Sequence, residues 1–153
     1  MMEIRTVSAE ETEAVGRRVG AALRRGDLLL LEGELGAGKT TLTQGVAQGA
    51  QTAGYVHSPT FVLAHRYDGR LPLFHLDLYR TDGGLEVHDL GVEEMLEAGA
   101  VVVEWADRAP DIFPPERLEL RLRFGAAPEE RRIEALARGE RAFALARCLA
   151  GTE

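Results

Sequence analysis

The sequence predicts an α/β fold built on a mixed sheet, and three observations carry that prediction. Helical and strand-like patterns alternate along the first hundred residues. The apolar run Asp27-Leu-Leu-Leu-Leu-Glu32 has the length and two-sided hydrophobicity of a buried parallel strand. Near the C-terminus, Leu118, Leu120 and Leu122 alternate with charged residues, and Arg131–Ala137 is the expected hairpin partner.

Each element follows from local pattern. Val15, Val19, Ala22 and Leu23 recur at helical spacing within residues 9–25, and Ser8 offers an N-cap ahead of acidic first-turn residues. The four leucines then form the buried strand, a glycine-rich turn follows, and Leu42, Val46 and Ala50 mark the next helix. Phe61–Tyr67 and Leu71–Asp77 read as two strands joined by a turn at Asp68-Gly69. Gly84 to Leu96 is expected to form short helices, Ala100–Glu104 another buried strand, and residues 139–150 a closing amphipathic helix. No repeat or long linker divides the chain, so residues 1–153 are expected to form one domain.

Composition narrows the function classes. The chain is 45% hydrophobic and 28% charged, as in ordinary soluble proteins. No apolar run approaches the ~20 residues that cross a bilayer, and the N-terminus lacks a secretion-signal pattern. The single cysteine, Cys148, excludes an internal disulfide, making the cytoplasm the expected compartment. A net charge of −7 makes the surface as a whole a poor attractor of nucleic acid or anionic lipid, although arginines cluster between Arg117 and Arg141.

Gly33-Glu-Leu-Gly-Ala-Gly-Lys-Thr40 satisfies G-x-x-x-x-G-K-[ST]. Phosphate oxygens must meet several amide N–H groups at once, so the backbone has to wrap closely. Gly33, Gly36 and Gly38 permit those dihedrals, and the following helix points its N-terminal dipole at the anion. Lys39 would reach the β- and γ-phosphates and the Thr40 hydroxyl would ligate Mg²⁺. From this composition, a chance match has odds of roughly one in a thousand. Lys39 is the only lysine beside 17 arginines, at a place where a compact ammonium suits phosphate better than a planar fork. The fold is thus expected to be P-loop NTPase-like.

Such a loop needs an acidic residue at the carboxyl end of an apolar strand, along the same sheet edge. Glu104 ends Ala-Val-Val-Val-Glu and Asp77 ends Leu-Phe-His-Leu-Asp; the residues alone leave open which holds the metal. Thr60, in Ser58-Pro-Thr60, reads either as a phosphate-sensing hydroxyl or as part of a strand-initiating turn. Arg80 reads as a charge stabiliser or a salt-bridge partner, and Trp105 as a neighbour of the nucleotide or a core residue. His75 stands out only for lying two residues from Asp77; His57, His65 and His88 show no metal-ligand spacing.

Four motifs in order then carry a resemblance: Gly33-Glu-Leu-Gly-Ala-Gly-Lys-Thr-Thr41, Ser58-Pro-Thr-Phe61, His75-Leu-Asp-Leu-Tyr-Arg80 and Val103-Glu-Trp105. With Thr12 and Gly16 in a T-x-x-x-G pattern, the chain resembles the TsaE (YjeE) family over about residues 8 to 108. The usual Gly-Asp-Leu reads Gly-Glu-Leu here, and the usual Glu-Trp-Pro ends in Ala106, changes that remove no functional group. The resemblance implies an ATPase of tRNA N6-threonylcarbamoyladenosine (t6A) synthesis that acts on TsaB and TsaD, meeting tRNA only through that complex. It further implies Thr40 and Glu104 as Mg²⁺ ligands and Asp77 as a hydrolysis residue. Gly36, Ala37, Gly38, Lys39, Thr40 and Thr41 would form the phosphate cradle, with Thr12 near the adenine.

Other classes fit less well. A GTPase would need an N-K-x-D guanine reader, and the chain contains no asparagine. A small-molecule kinase would need an acceptor site and an arginine lid; neither is evident, although the arginines between Arg117 and Arg141 could be miscast as a lid. A non-catalytic, nucleotide-gated interaction protein would bind ATP without turnover. One nucleotide site in an acidic chain, with no second catalytic constellation, suits a partner-dependent ATPase best.

Overall fold

The computed structural model describes residues 2–52, 64–78, 91–106 and 113–150. Their order is β1 (Met2–Thr6), α1 (Ala9–Ala22), β2 (Leu28–Gly33), α2 (Lys39–Gly49), β3 (Ala64–Asp68), β4 (Pro72–Asp77), α3 (Val92–Ala98), β5 (Ala100–Glu104), β6 (Arg117–Phe124), β7 (Arg131–Arg138) and α4 (Glu140–Leu149). The strands form one seven-stranded sheet in the order β1-β7-β6-β2-β5-β4-β3. Strands β6, β2, β5 and β4 run parallel, and antiparallel strands flank them on both sides.

The leucine run lies at the middle of the sheet, as its hydrophobicity requires. Leu29 and Leu31 face one core with α1, α2 and α4, while Leu28 and Leu30 face a second core with α3 and Phe113. All five residues of β5 are buried, so this strand too is covered on both faces. Ser8 caps α1 by accepting a hydrogen bond from the Glu11 amide at 3.1 Å. Helices α1 and α2 touch through glycine. A Cβ on Gly16 would lie 2.3 Å from the Leu42 carbonyl oxygen, and one on Gly45 would lie 2.1 Å from that of Glu13. That close approach seats α2, and with it the glycine loop, against the sheet.

No local sequence pattern predicts strand β1. Met-Glu-Ile-Arg-Thr is short and half polar; it becomes a strand because β7 offers an open edge, pairing Met2 with Ala135 through Thr6 with Arg131. Helix α1 ends at Ala22 rather than residue 25. Helix α3 runs past Leu96 to Ala98, while the rest of the expected 84–90 helical stretch, and residues 61–63 of the expected strand, lie outside the described residues. The arginine cluster forms no lid: it is distributed mainly along β6 and β7, where Arg121 meets Glu32 at 3.0 Å and Arg123 meets Glu134 at 3.3 Å. Among the described residues, no helix is long and apolar enough to cross a membrane.

Candidate nucleotide site

The glycine loop joins the carboxyl end of β2 to the start of α2. Gly33, Gly36 and Gly38 all have positive φ, at 151°, 85° and 109°. A Cβ on Gly33 would lie 2.6 Å from the Leu122 carbonyl oxygen, so neighbouring backbone also excludes a side chain there. Gly38 precedes α2, whose first residue is Lys39, so the free amides of the first turn open onto the loop.

Lys39 is only 5% exposed. Its ammonium donates to the Gly33 carbonyl at 2.5 Å and to that of Glu34 at 3.0 Å, and it sits 3.9 Å from the centre of the Trp105 ring. One residue on, the Thr40 hydroxyl donates to Glu104 Oε1 at 3.3 Å. Glu104 ends β5 and is 2% exposed. Its other oxygen, Oε2, lies 2.6 Å from Nε2 of the fully buried His75 on β4. Asp77, two residues beyond His75, is in register with Glu104 on the neighbouring strand. The loop lysine, the loop threonine and both strand-end acids thus share one sheet edge, Glu104 being the acid bonded to Thr40.

On the far side of the loop, a small pocket is lined by Ala9, Thr12, Gly36, Gly38, Thr41, Glu129 and Arg131. Thr12 is buried there, its hydroxyl 2.7 Å from that of Thr6. Arg131 lies 4.7 Å from the centre of the half-exposed Phe124 ring. The pocket continues the glycine loop toward the start of α1.

Trp105 is a neighbour of the loop lysine rather than a member of the deep core, its backbone at a φ of 60°. His75 stands two residues from Asp77 in the sequence, but its bonded partner is Glu104. The readable signal was a polar ring inside the apolar strand Leu-Phe-His-Leu, since a buried polar group requires a partner. Arg131, almost a hundred residues from the loop, left no local sign. Ser58, Thr60, Tyr79, Arg80, His57 and His88 lie outside the described residues. Among the described residues, no group of three or more His, Cys, Asp or Glu could hold a metal by itself.

Residues 6–133 match the family described as Threonylcarbamoyl adenosine biosynthesis protein TsaE. This chain belongs to the TsaE family. The tRNA threonylcarbamoyladenosine biosynthesis protein TsaE of Bacillus subtilis is 44% identical over 139 residues, which span 90% of this chain and 86% of that protein. The TsaE of Streptomyces coelicolor is 44% identical over 135 residues, 83% of this chain and 90% of the relative. The crystal structure of YdiB from Bacillus subtilis superposes with a TM-score of 0.79 at 37% identity, covering 98% of this chain and 94% of the other. The TsaE match embraces the glycine loop, β4 and β5, and the α/β fold is P-loop NTPase-like, as its sequence predicts.

Proposed function

We propose that this chain is the Mg²⁺-dependent ATPase component of the machinery that forms t6A at position 37 of tRNA, acting in the cytoplasm on TsaB and TsaD. The observation that carries the ATPase part of this reading is the 3.3 Å bond between Thr40 and Glu104, which joins the glycine loop to the acid at the end of β5; the family match over residues 6–133 supports the t6A part.

The loop amides and the start of α2 would bind the phosphates, with Lys39 exchanging carbonyl partners for phosphate oxygens. The donor set fits Mg²⁺: a hydroxyl and a carboxylate oxygen 3.3 Å apart can both reach one cation at about 2.0–2.1 Å. Thr40 and Glu104 would hold the ion, with phosphate oxygens and water completing its shell. Bound Mg²⁺ supplies charge neutralisation at the β- and γ-phosphates. Asp77, beside Glu104, would orient the attacking water. The nucleoside end would occupy the pocket of Thr12, Gly36, Gly38, Thr41 and Arg131, which supports the expected contact between Thr12 and the adenine.

An ATPase site with no second catalytic constellation among the described residues suits a chain that drives another protein through its cycle. The test is ATP turnover, with and without TsaB–TsaD, for wild type, Lys39→Ala, Asp77→Asn and Glu104→Gln. Turnover is expected to be weak alone and stimulated by the partners. Lys39→Ala should lose nucleotide binding, Glu104→Gln should lose Mg²⁺ dependence, and Asp77→Asn should bind ATP normally but turn over slowly. Equal turnover with and without TsaB–TsaD would overturn the partner assignment.

A further inference from the structure

We infer that His75 is a positioning residue that sets the plane of the Glu104 carboxylate for its work at the metal and phosphates; this rests on the function proposed above. Glu104 is held from two sides, with Oε1 receiving the Thr40 hydroxyl at 3.3 Å and Oε2 facing His75 Nε2 at 2.6 Å. The bonds come from different elements, α2 and β4, and together they define both oxygen positions. In the tautomer that carries its hydrogen on Nε2, the ring donates to this carboxylate oxygen.

The polar chemistry of His75 argues against a pure packing role. The ring is fully buried, between Phe74 and Leu76 in the strand, and among the described residues Nδ1 has no hydrogen-bond partner. An unmet buried polar atom is unfavourable, and a leucine would fill the same volume without it. The polar chemistry of the ring is directed at Glu104. Without that donor, Oε2 would be a buried carboxylate oxygen lacking a partner, and the group could turn away from Thr40. Outer partners that orient metal-ligating groups are commonly worth 10–100-fold in metal affinity.

Calorimetric titration of a non-hydrolysable ATP analogue, first in EDTA and then across a Mg²⁺ series, tests this without turnover. His75→Leu is expected to raise the Mg²⁺ concentration for half-maximal binding enhancement by about 10–100-fold, leaving affinity in EDTA within about twofold of wild type. His75→Gln, which keeps an N–H donor of similar reach, should recover most of the loss. In a Glu104→Gln background, His75→Leu should add no further shift. If His75→Leu fails to fold, His75→Asn, whose shorter amide cannot reach Oε2, gives the same comparison against His75→Gln. A Mg²⁺ requirement unchanged in His75→Leu or His75→Asn, while Glu104→Gln shifts it, overturns the positioning role and leaves the proposed function standing. A Mg²⁺ requirement unchanged in Glu104→Gln overturns both.

Discussion

The Lys39 ammonium rests 3.9 Å from the centre of the Trp105 ring, so one face of the chain's only lysine is covered by its only tryptophan. Trp105 stands directly after Glu104, at a left-handed φ of 60°, where a bulky residue carries strain of ~1–3 kcal/mol. A cation over an indole is worth about 2 kcal/mol when shielded from water. If Lys39 turns toward phosphate, this contact must change. Trp105 emission is therefore expected to respond to ATP with Mg²⁺ in wild type and to stay unchanged in Lys39→Ala. A titration followed by tryptophan fluorescence checks both.

The contact between α1 and α2 leaves no room for a methyl group. Gly45→Ala would bring Cβ to 2.1 Å from the Glu13 carbonyl oxygen, and backbone on both sides prevents easy relief. A loss of about 2–3 kcal/mol in stability is expected from such overpacking. Because α2 begins with Lys39, nucleotide affinity should fall as well. Thermal melting with and without ATP measures the two effects.

At the opposite end of β2, Asp27 should matter to stability alone. Its carboxylate is almost fully buried and receives Arg141 at 3.0 and 2.7 Å, together with the Arg24 amide at 2.7 Å. Removing one partner of a buried pair strands the other. Asp27→Ala is expected to lower stability by about 2–3 kcal/mol, allowing for the part of Arg141 open to water. ATP affinity of the folded fraction should stay at the wild-type value, because Asp27 lies far from the glycine loop along β2. Urea unfolding paired with calorimetry distinguishes this variant from those at the loop.

Glu130 sets part of the acid limb. The Arg5 guanidinium bonds its carboxylate at 2.8 Å and, with the Ala127 amide, holds its carboxyl below the usual 4.5. The folded chain therefore gives up this proton at a lower pH than the unfolded chain. The resulting stability is fully present above about pH 4.5 and is lost as pH falls through the folded value. Glu130→Gln should be less stable than wild type at pH 7, and the gap should narrow below pH 4.5. Urea midpoints at pH 7, 4 and 3 give the comparison.

Much of this molecule was legible in one dimension. Glycines at 33, 36 and 38, a lone lysine and a following threonine identify a phosphate loop because the chemistry requires those residue types in that local order. The leucine and valine runs identify central strands because only a strand covered on both faces tolerates them. Strand alternation likewise revealed β6 and β7. Tertiary structure decided the pairings over long sequence distances. It put β1 on the edge of β7, His75 and Thr40 on opposite oxygens of Glu104, Trp105 against Lys39, and Arg131 beside the loop. Backbone dihedrals and periodicity are local properties, written residue by residue. Which oxygen meets which donor depends on the register of strands and the seat of helices, and no local pattern encodes that.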